Sequence, residues 1–237
     1  MARALARGWG DPVVCSDGGS GRAAALVDEL GGSEASNLEV ARDADLVVLC
    51  HKPYQLAAVA GEIAGTARAV ASVLGGTPLA DLRTAYPDTP VFRLMPNTPV
   101  EVRRGVVLYA RALDIDPELE RRVVALFSRI GWVAAIEERL IDVGMALSSL
   151  GPAYLSLVAE AQVDAGIRYG LQGDLAGRLV AETMAGTAEL LTARERDTLR
   201  LRREVTSPGG STARGLDALE RGGLRAAFQA AIDRVAG

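Results

Sequence analysis

Four hydroxyl side chains surround a Pro-Gly-Gly corner in the stretch "VTSPGGSTARGLDALE" at residues 205–220. Thr206 and Ser207 precede the corner, Ser211 and Thr212 follow it, and leucines then recur at helical spacing. The first N–H groups of a helix have no partner inside it, so a helix that starts here favours an anion. The stretch therefore predicts an anion-binding turn. A plain helix cap, in which a hydroxyl satisfies one of these N–H groups, is the alternative.

Two further polar stretches follow apolar runs that are typical of strands. "DLVVLCHKPYQL" places His51, Lys52 and Pro53 just past one run, and "RLMPNTP" at residues 93–99 ends another. In open α/β sheets ligands bind outside the carboxyl ends of the strands, so both stretches are candidates for a binding site. Each is also compatible with an ordinary turn in which proline only ends the strand.

Composition narrows the possible function classes. A net charge of −4 and a pI near 5.2 argue against nucleic acid or an anionic membrane surface as the main partner. Cys15 and Cys50 are too few for a disulfide framework, so we expect reduced, buried thiols in a cytoplasmic protein. We expect no apolar stretch of membrane-spanning length. One histidine and two isolated cysteines predict no metal site.

Strand and helix patterns alternate through the first 136 residues. Helical periodicity separates short β-branched runs, several of them apolar on both faces, as in a parallel sheet covered by helices. This alternation predicts an α/β fold with a Rossmann-like, doubly wound parallel sheet. The strands are expected at residues 12–17, 45–50, 68–74, 90–94, 105–110 and 131–136.

After residue 136 the strand patterns stop, and Ala- and Leu-rich helical patterns run to the end of the chain. We therefore expect two domains, a dinucleotide-binding domain at residues 1–136 and an all-α domain at residues 137–237. The connection at residues 194–204 mixes charges and is expected to be solvated.

Two long segments of the second domain, "AYLSLVAEAQVDAGIRYGL" and "DLAGRLVAETMAGTAELL", are apolar around most of their circumference. A helix of that kind must be buried, and a domain of this size has little interior to offer. We expect these helices to bury one face against a second subunit. A self-contained helical bundle is the alternative.

Five motifs occur in the order "LCHKP", "RLMPNTP", "SSLGPAY", "DAGIRYGL" and "VTSPGGST". In this order and spacing the chain resembles pyrroline-5-carboxylate reductase over essentially its whole length, and Ser-Pro-Gly-Gly-x-Thr is the most specific element. The resemblance implies reduction of a small anionic cyclic imine by NADPH or NADH, giving L-proline. It also implies an N-terminal Rossmann domain and a helical domain that intertwines in a homodimer, with dimers able to assemble into larger rings.

The resemblance also implies site residues by matching position. Those expected at the cofactor are Cys15, Asp17, Asn37, Cys50, His51, Lys52, Pro53, Val73, Leu74, Gly75, Met95, Pro96 and Asn97. Those expected at the substrate are Glu138, Glu204, Ser207, Gly209, Gly210, Ser211 and Thr212. Within the first set, Met95, Pro96 and Asn97 would flank the nicotinamide.

The implied chemistry identifies the anion of the Pro-Gly-Gly corner. It is the substrate's carboxylate, held by the N–H groups of Gly209 and Gly210 with Ser207 nearby, and fixing it orients the C=N carbon towards the nicotinamide. As hydride arrives, the ring nitrogen must be protonated or enter as an iminium. Thr212 is the expected hydrogen-bond donor to that nitrogen and the candidate catalytic residue.

The sequence leaves the choice between NADPH and NADH open. Asp17 ends the first expected strand, where an acidic residue usually bonds the ribose of NAD and repels the phosphate of NADP. Arg22, five residues on, would offset that repulsion.

The chain departs from the family pattern at its start. Relatives open with a strand and a Gly-x-Gly-x-Met-Ala loop, whereas Met1-Ala2 here matches only the end of that loop. Without that central strand, the strands at 12–17 and 45–50 would face a gap or pair directly. We hypothesise that the native polypeptide begins further upstream.

Other departures lie on the substrate side. Ser149 and Leu150 stand where relatives have glycine and serine, Met145 where threonine is common, and Arg103 where glycine is usual. Arg103 would add a positive charge near the cleft or face solvent. Two alternatives stay open: a reductase on the same scaffold for a six-membered cyclic imine or a 2-oxoacid-type substrate, and an inactive relative that dimerises without a working nucleotide site.

Overall fold

The computed structural model describes residues 1–112 and 114–236 and divides the chain into two compact units, Met1–Pro152 and a second unit that begins at Ala153. The strands are β1 (Val13–Cys15), β2 (Gly32–Glu34), β3 (Val47–Leu49), β4 (Val70–Ser72), β5 (Val91–Pro96), β6 (Gly105–Ala110) and β7 (Gly131–Ile136). The helices up to the unit boundary are α1 (Ala2–Trp9), α2 (Arg22–Leu30), α3 (Asn37–Asp43), α4 (Leu56–Ile63), α5 (Leu79–Ala85), α6 (Pro117–Ser128) and α7 (Ile141–Leu147).

The remaining helices are α8 (Gly151–Arg168), α9 (Gly173–Ala193), α10 (Thr198–Glu204), α11 (Ser211–Arg221) and α12 (Leu224–Ala236). The α/β architecture followed by an all-α region confirms the expected fold class. The domain boundary expected after residue 136 stays a prediction, and residue 237, its far end, lies outside the described residues. The compact units divide later, because α7 packs on the sheet with Gly144 against Leu108.

The strands form a five-stranded sheet in the order β3-β4-β5-β6-β7 and a separate pair, β1-β2. All neighbours are parallel except β5 and β6, which run antiparallel with Met95 opposite Leu108. The sheet is thus mostly parallel, as expected, and this antiparallel pair is the exception that the sequence did not predict. The link between the two strands is a short 3₁₀ turn at Thr98–Val102, and a parallel connection needs a crossover of a dozen residues or more.

The short strand β2 was not expected from the sequence. Its residues Gly-Ser-Glu are exposed, so they carry no apolar alternation that would signal a strand. Gly32 has a φ of +110°, and a Cβ there would lie 1.9 Å from the carbonyl oxygen of Val13. Only glycine allows this close approach to β1.

No backbone ladder joins β1 to β3 in the described chain, because the two strands belong to different sheets. The alternative that they pair directly was therefore wrong. β1 pairs only with β2 on one side, and β3 pairs only with β4. Each strand consequently has one edge whose N–H and C=O groups are free of a strand partner.

The core of the first unit lies on both faces of the larger sheet. On one face Val70, Leu82 and Tyr86 are buried among residues of α4 and α5. On the other face α1 and α6 contribute Leu5 and Phe127. Burial on both faces is what the continuous apolar strands of the sequence predicted.

Arg103 adopts the left-handed conformation, with φ 59° and ψ 26°, at the end of the turn before β6. Glycine is the residue that takes this conformation without steric cost, which gives a backbone reason for the usual glycine here. The Arg103 side chain donates from Nε to the carbonyl oxygen of Gly8, 2.8 Å away, near the end of α1. It therefore binds a carbonyl at the end of α1 while the residue stays exposed, which agrees with the expected solvent-facing role.

The second unit exposes most of its apolar side chains. Among its described residues only Ala176 and Leu201 are buried hydrophobic residues, whereas Leu157 is 66% and Tyr169 84% exposed. Residues 194–204 were expected to be a solvated connection, but they contain α10, capped by Asp197 and anchored by Leu201.

One segment, Glu138–Arg168, passes the length and composition test for crossing a membrane, with a mean hydropathy of 1.3 in its most apolar window. The expectation that no stretch reaches this length was therefore wrong. Separate helices, α7 and α8, make up most of this segment, and α8 carries Glu160 and Asp164. Its apolar surface is equally suited to contact with another helix.

Candidate functional site

Three expected cofactor segments lie at one edge of the larger sheet. β3, β4 and β5 are adjacent and parallel, so their carboxyl ends meet at the same side. This arrangement brings together residues 50–53, 73–75 and 95–97. The carboxyl edge of a parallel sheet is where ligands of this architecture bind.

The segment after β3 carries one unsatisfied polar atom. His51 Nδ1 lies 2.9 Å from the carbonyl oxygen of Lys52; since a carbonyl only accepts, this nitrogen carries the proton. The other ring nitrogen, Nε2, is buried without a hydrogen-bond partner in the described chain. Burial raises the pKa of the neighbouring Cys50 thiol to about 11, with a smaller opposite effect from the amino group of Met1. Lys52 and Pro53 are exposed.

The segments after β4 and β5 present backbone more than side chains. Val73, Leu74 and Met95 are buried in the core, so they can face a ligand at this edge chiefly through main-chain atoms. Gly75 is exposed, and a Cβ there would meet nothing within 4 Å. Space is therefore open at the turn after β4.

Asn97 ties the end of β5 to two other elements. Its Oδ1 accepts from the N–H of Val106, 2.8 Å away, and its Nδ2 donates to the carbonyl oxygen of Ser148 at 3.1 Å. Ser149 adds a bond from Oγ to the carbonyl oxygen of Pro96 at 3.4 Å. The buried Asn97 amide thus holds the turn in place, and Ser149, which replaces a glycine of the family pattern, strengthens the same connection.

Asp17 is saturated by its own loop. Oδ1 accepts from the N–H groups of Gly19 and Ser20, and Oδ2 accepts from Ser20 Oγ and from the N–H groups of Arg22 and Ala23. These bonds, led by the one from Ala23, hold the pKa of the carboxyl group well below its ordinary value. The side chain therefore stays charged and caps the start of α2.

Two other expected cofactor residues also have partners inside the first unit. Asn37 donates from Nδ2 to Glu62 Oε2 at 2.8 Å and so joins α3 to α4. The Cys15 thiol points a weak hydrogen bond at the carbonyl oxygen of Ala23, and burial raises its pKa. Both cysteines are free thiols, but each is only partly buried, so the expectation of buried thiols was wrong.

Glu138 connects three parts of the first unit. Its Oε1 lies 2.8 Å from Nη1 of Arg93, a side chain only 6% exposed, and 2.6 Å from the N–H of Leu79 at the start of α5. Sequence reasoning missed Arg93. The available signal was an arginine inside the apolar run "VFRLM", where an unpaired charge would be costly.

The Pro-Gly-Gly corner lies in the second unit and starts α11 as expected. Gly210 is the N-cap, and no side chain caps the helix, so the alternative in which Ser211 or Thr212 acts as a cap was wrong. Gly209 has a φ of +69°, and a Cβ on Gly210 would lie 2.4 Å from Ser207 Oγ. The conformation therefore requires glycine twice and leaves the first N–H groups of α11 available to a ligand. The N–H of Gly210 itself donates to the carbonyl oxygen of Ser207 at 3.1 Å, so the expectation that it holds the substrate carboxylate was wrong.

Charged side chains flank this corner. Glu204, at the end of α10, accepts from the Nε atoms of Arg194 and Arg200, and these bonds lower the pKa of its carboxyl group. Arg214, which sequence reasoning missed, donates from Nη1 to the carbonyl oxygen of Gly209 at 2.8 Å. A guanidinium at a helix start adds positive charge where an anion is already favoured.

Two family models match the chain. Residues 138–237 match the model described as pyrroline-5-carboxylate reductase dimerisation, and residues 1–75 match the one described as NADP oxidoreductase coenzyme F420-dependent. The first match identifies the second unit as a region of self-association, as its exposed apolar helices predicted.

Known proteins resemble most of the chain. The pyrroline-5-carboxylate reductase of Synechocystis is 36% identical over 83% of this chain and 74% of its own length. That of Mycobacterium tuberculosis is 36% identical over 83% of this chain and 76% of its own.

Solved structures agree with these relatives. The pyrroline carboxylate reductase of Plasmodium falciparum, solved with NADP bound, has a TM-score of 0.87 and 26% identity over 98% of this chain and 90% of its own. The Streptococcus pyogenes enzyme has a TM-score of 0.90 and 28% identity, covering 100% of this chain and 93% of its own. On the strength of these matches, the chain belongs to the pyrroline-5-carboxylate reductase family.

Proposed function

We propose that this chain reduces 1-pyrroline-5-carboxylate to L-proline with NADPH or NADH. The observation that carries the proposal is the exposed, uncapped start of α11 behind the two glycines of the Ser-Pro-Gly-Gly-x-Thr corner. It offers backbone donors for a small carboxylate in a chain whose relatives are named for this reaction.

The residues present fit a dinucleotide at the carboxyl edge of β3, β4 and β5. The orphaned Nε2 of His51 is an acceptor without a partner, and the space beside Gly75 is open. The start of α1 has no side-chain cap, which suits a diphosphate. The turns at residues 50–53, 73–75 and 95–97 would hold the nucleotide largely through backbone groups, and NAD(P)H, when bound, supplies the hydride.

The choice of nucleotide depends on the loop that starts at Asp17. Its charged carboxylate repels a 2′-phosphate, but five hydrogen bonds already engage it, and the exposed Arg22 lies in the same loop. We therefore propose that the chain can use either NADPH or NADH. Side-by-side values of kcat/KM with NADH and NADPH distinguish them.

The substrate carboxylate is assigned to the N–H groups at the start of α11. Ser207 Oγ and the guanidinium of Arg214 stand beside that helix start and add donors. A fixed carboxylate limits the orientations of the ring, and orientation can supply a large part of the rate enhancement. We also assign Glu204 to the border of this region, with its charge balanced by two arginines.

Thr212 is assigned to the ring nitrogen. Its side chain is exposed and makes no capping bond, so its hydroxyl is available to donate to the imine. Reduction of the C=N bond moves an electron pair to nitrogen, which then takes a proton. A positioned hydroxyl lowers the barrier for this step, either directly or by relay from water.

The active form is proposed to be a homodimer, with assembly of dimers into larger rings. α8 and α9 enclose a groove of about 350 Å³ lined by Leu155, Val180 and Met184, which suits side chains of a second copy. We assign the apolar surface of α8 to this contact and not to a membrane. The two free thiols are consistent with a cytoplasmic enzyme.

Replacement of Thr212 tests the proposal. We expect Thr212→Ala to lower kcat about 10²- to 10⁴-fold, because the donor to the ring nitrogen is lost. Thr212→Ser keeps the hydroxyl and serves as the matched control, with kcat within about tenfold of the parent. The dissociation constant for NADPH and the oligomeric state should stay unchanged in both variants. Unchanged proline formation by the alanine variant would refute this assignment.

A further inference from the structure

Arg93 is a charged side chain in the middle of a buried strand. All six residues of β5 are buried, and its Cα lies opposite Ser72 of β4 and Ala110 of β6. Burying an ion costs more than a well-packed apolar residue in the same place unless pairing and hydrogen bonds compensate. An arginine at this position therefore needs a reason that packing does not give.

The reason lies in its partner, Glu138. One carboxylate oxygen, Oε1, accepts from Arg93 Nη1 at 2.8 Å and from the N–H of Leu79 at 2.6 Å. The other oxygen, Oε2, accepts no hydrogen bond from the described part of the chain. The Glu138 side chain is 36% exposed, so a ligand can reach it. Two donors thus fix one oxygen and leave the second available.

A purely structural bridge between β5, α5 and the turn after β7 explains only part of this arrangement. Arg93 Nε is buried and has no partner within the described residues, so the guanidinium is not fully satisfied by the bridge. Arg93 also lies two residues before Met95, on the strand whose end is assigned to the nicotinamide. The pair therefore stands beside the proposed nicotinamide site of the first unit, where the direction of a carboxylate affects binding.

We propose that Arg93 is a positioning residue for the reduction, acting through Glu138. It holds Oε1 so that Oε2 accepts a hydrogen bond from the nitrogen of the product ring. The protonated nitrogen of proline carries two N–H bonds, so it can donate one of them to the carboxylate of Glu138. This inference rests on the proposed function. It adds Arg93, a residue that acts on the ligand only through Glu138.

Binding of L-proline and steady-state kinetics test the inference with four variants. We expect Glu138→Gln to weaken proline binding and raise KM for 1-pyrroline-5-carboxylate by about tenfold or more, because a charged acceptor is lost. Arg93→Met should act similarly, and Arg93→Lys, which keeps the charge, should recover part of the loss. Because Arg93 acts through Glu138, the double variant Arg93→Met/Glu138→Gln should bind proline no more weakly than Glu138→Gln alone.

The controls separate positioning from a structural role. Arg83→Lys, in an exposed ion pair on α5, should leave proline binding unchanged. The NADPH dissociation constant, measured by fluorescence, should stay within about twofold in every variant. If Arg93→Met does not fold, proline affinity and KM are compared between Arg93→Lys and Glu138→Gln, and a loss in both variants supports the inference.

Two results would overturn the inference. One is a lower melting temperature for the Arg93 variants with unchanged proline affinity and KM, which makes the pair purely structural. The other is a double variant whose loss of proline affinity equals the product of the losses in the two single variants, which makes the two residues independent. A parent protein that neither binds proline nor reduces the imine refutes the proposed function itself, and the inference falls with it.

Discussion

The two units of this chain bury their apolar residues to very different degrees. In the first unit both faces of the sheet are covered, with Leu82, Phe92 and Phe127 fully buried. In the second unit the only buried hydrophobic residues within the described chain are Ala176 and Leu201. The long helices α8 and α9 nonetheless carry many leucines.

The difference shows where each unit obtains its stability. The first unit has its own core and can bury its apolar surface within one chain. The second unit leaves Leu155, Leu157 and Leu179 half exposed or more, a pattern that belongs to a surface completed by another copy. The dimerisation match over residues 138–237 agrees with this contrast.

The largest expected effect comes from a charge on α8. Leu157→Glu should raise the dissociation constant of the dimer by about 10²- to 10³-fold, because an unpaired carboxylate would be buried at the contact. Sedimentation over a range of concentrations measures this change. Val102→Glu, at a residue of the first unit that is 68% exposed, is the matched control and should leave the assembly unchanged.

Hydrogen exchange on the same Leu157→Glu variant sharpens the contrast. Amides of the second unit should lose protection, whereas those of β4 and β5 should keep it, because the first unit has its own core. Equal protection in both units, or a dimer as tight as the parent, would contradict the contrast.

A smaller effect is expected from glycine replacement in the first unit. Gly32→Ala should destabilise that unit by about 2–4 kcal/mol, because the new Cβ meets the Val13 carbonyl and the φ of +110° is unfavourable for alanine. Gly18→Ala is the control, since a Cβ there meets nothing within 4 Å. Urea unfolding measures both variants. An equal decrease in the free energy of unfolding of both variants would show that the close approach of β2 to β1 does not contribute to stability.

The smallest effect concerns the pH dependence of the loop at Asp17. Its pKa is lowered in the folded chain, so its contribution to stability is present above the ordinary value of 3.8 and is lost as pH falls through the folded value. The difference in melting temperature between the parent and Asp17→Asn should therefore be constant above about pH 5 and shrink below about pH 4. Asp28→Asn, on the helix α2 whose start Asp17 caps, is the control. A difference that does not vary with pH would contradict the role of the charged carboxylate.

Much of the fold could be predicted because its signals are local. Six apolar runs gave β1 and the five strands of the larger sheet, and the change in pattern after residue 136 gave the helical region. β2 was missed because three exposed polar residues leave no periodic trace. The antiparallel β5–β6 pair was missed because the length of the connection, and not the composition of either strand, decides direction.

The candidate site was predictable where a motif fixes the backbone and not where side chains pair at long range. The corner at residues 207–212 was recognised because glycine and proline constrain it locally. Arg93 and Glu138 are 45 positions apart, so nothing in the sequence indicated their ion pair. Arg214 reaches back to Gly209 through a geometry that only the folded turn provides.

Turnover of two matched imines tests the central claim most directly. 1-Pyrroline-5-carboxylate and 1-pyrroline share the reducible C=N bond and differ in the carboxylate assigned to the start of α11. With saturating NADPH or NADH, we predict that kcat/KM for the ring without the carboxylate is lower by about 10³-fold or more, because both its binding and its orientation are lost. Equal kcat/KM for the two rings, or no reduction of either by the dimer, would contradict the account.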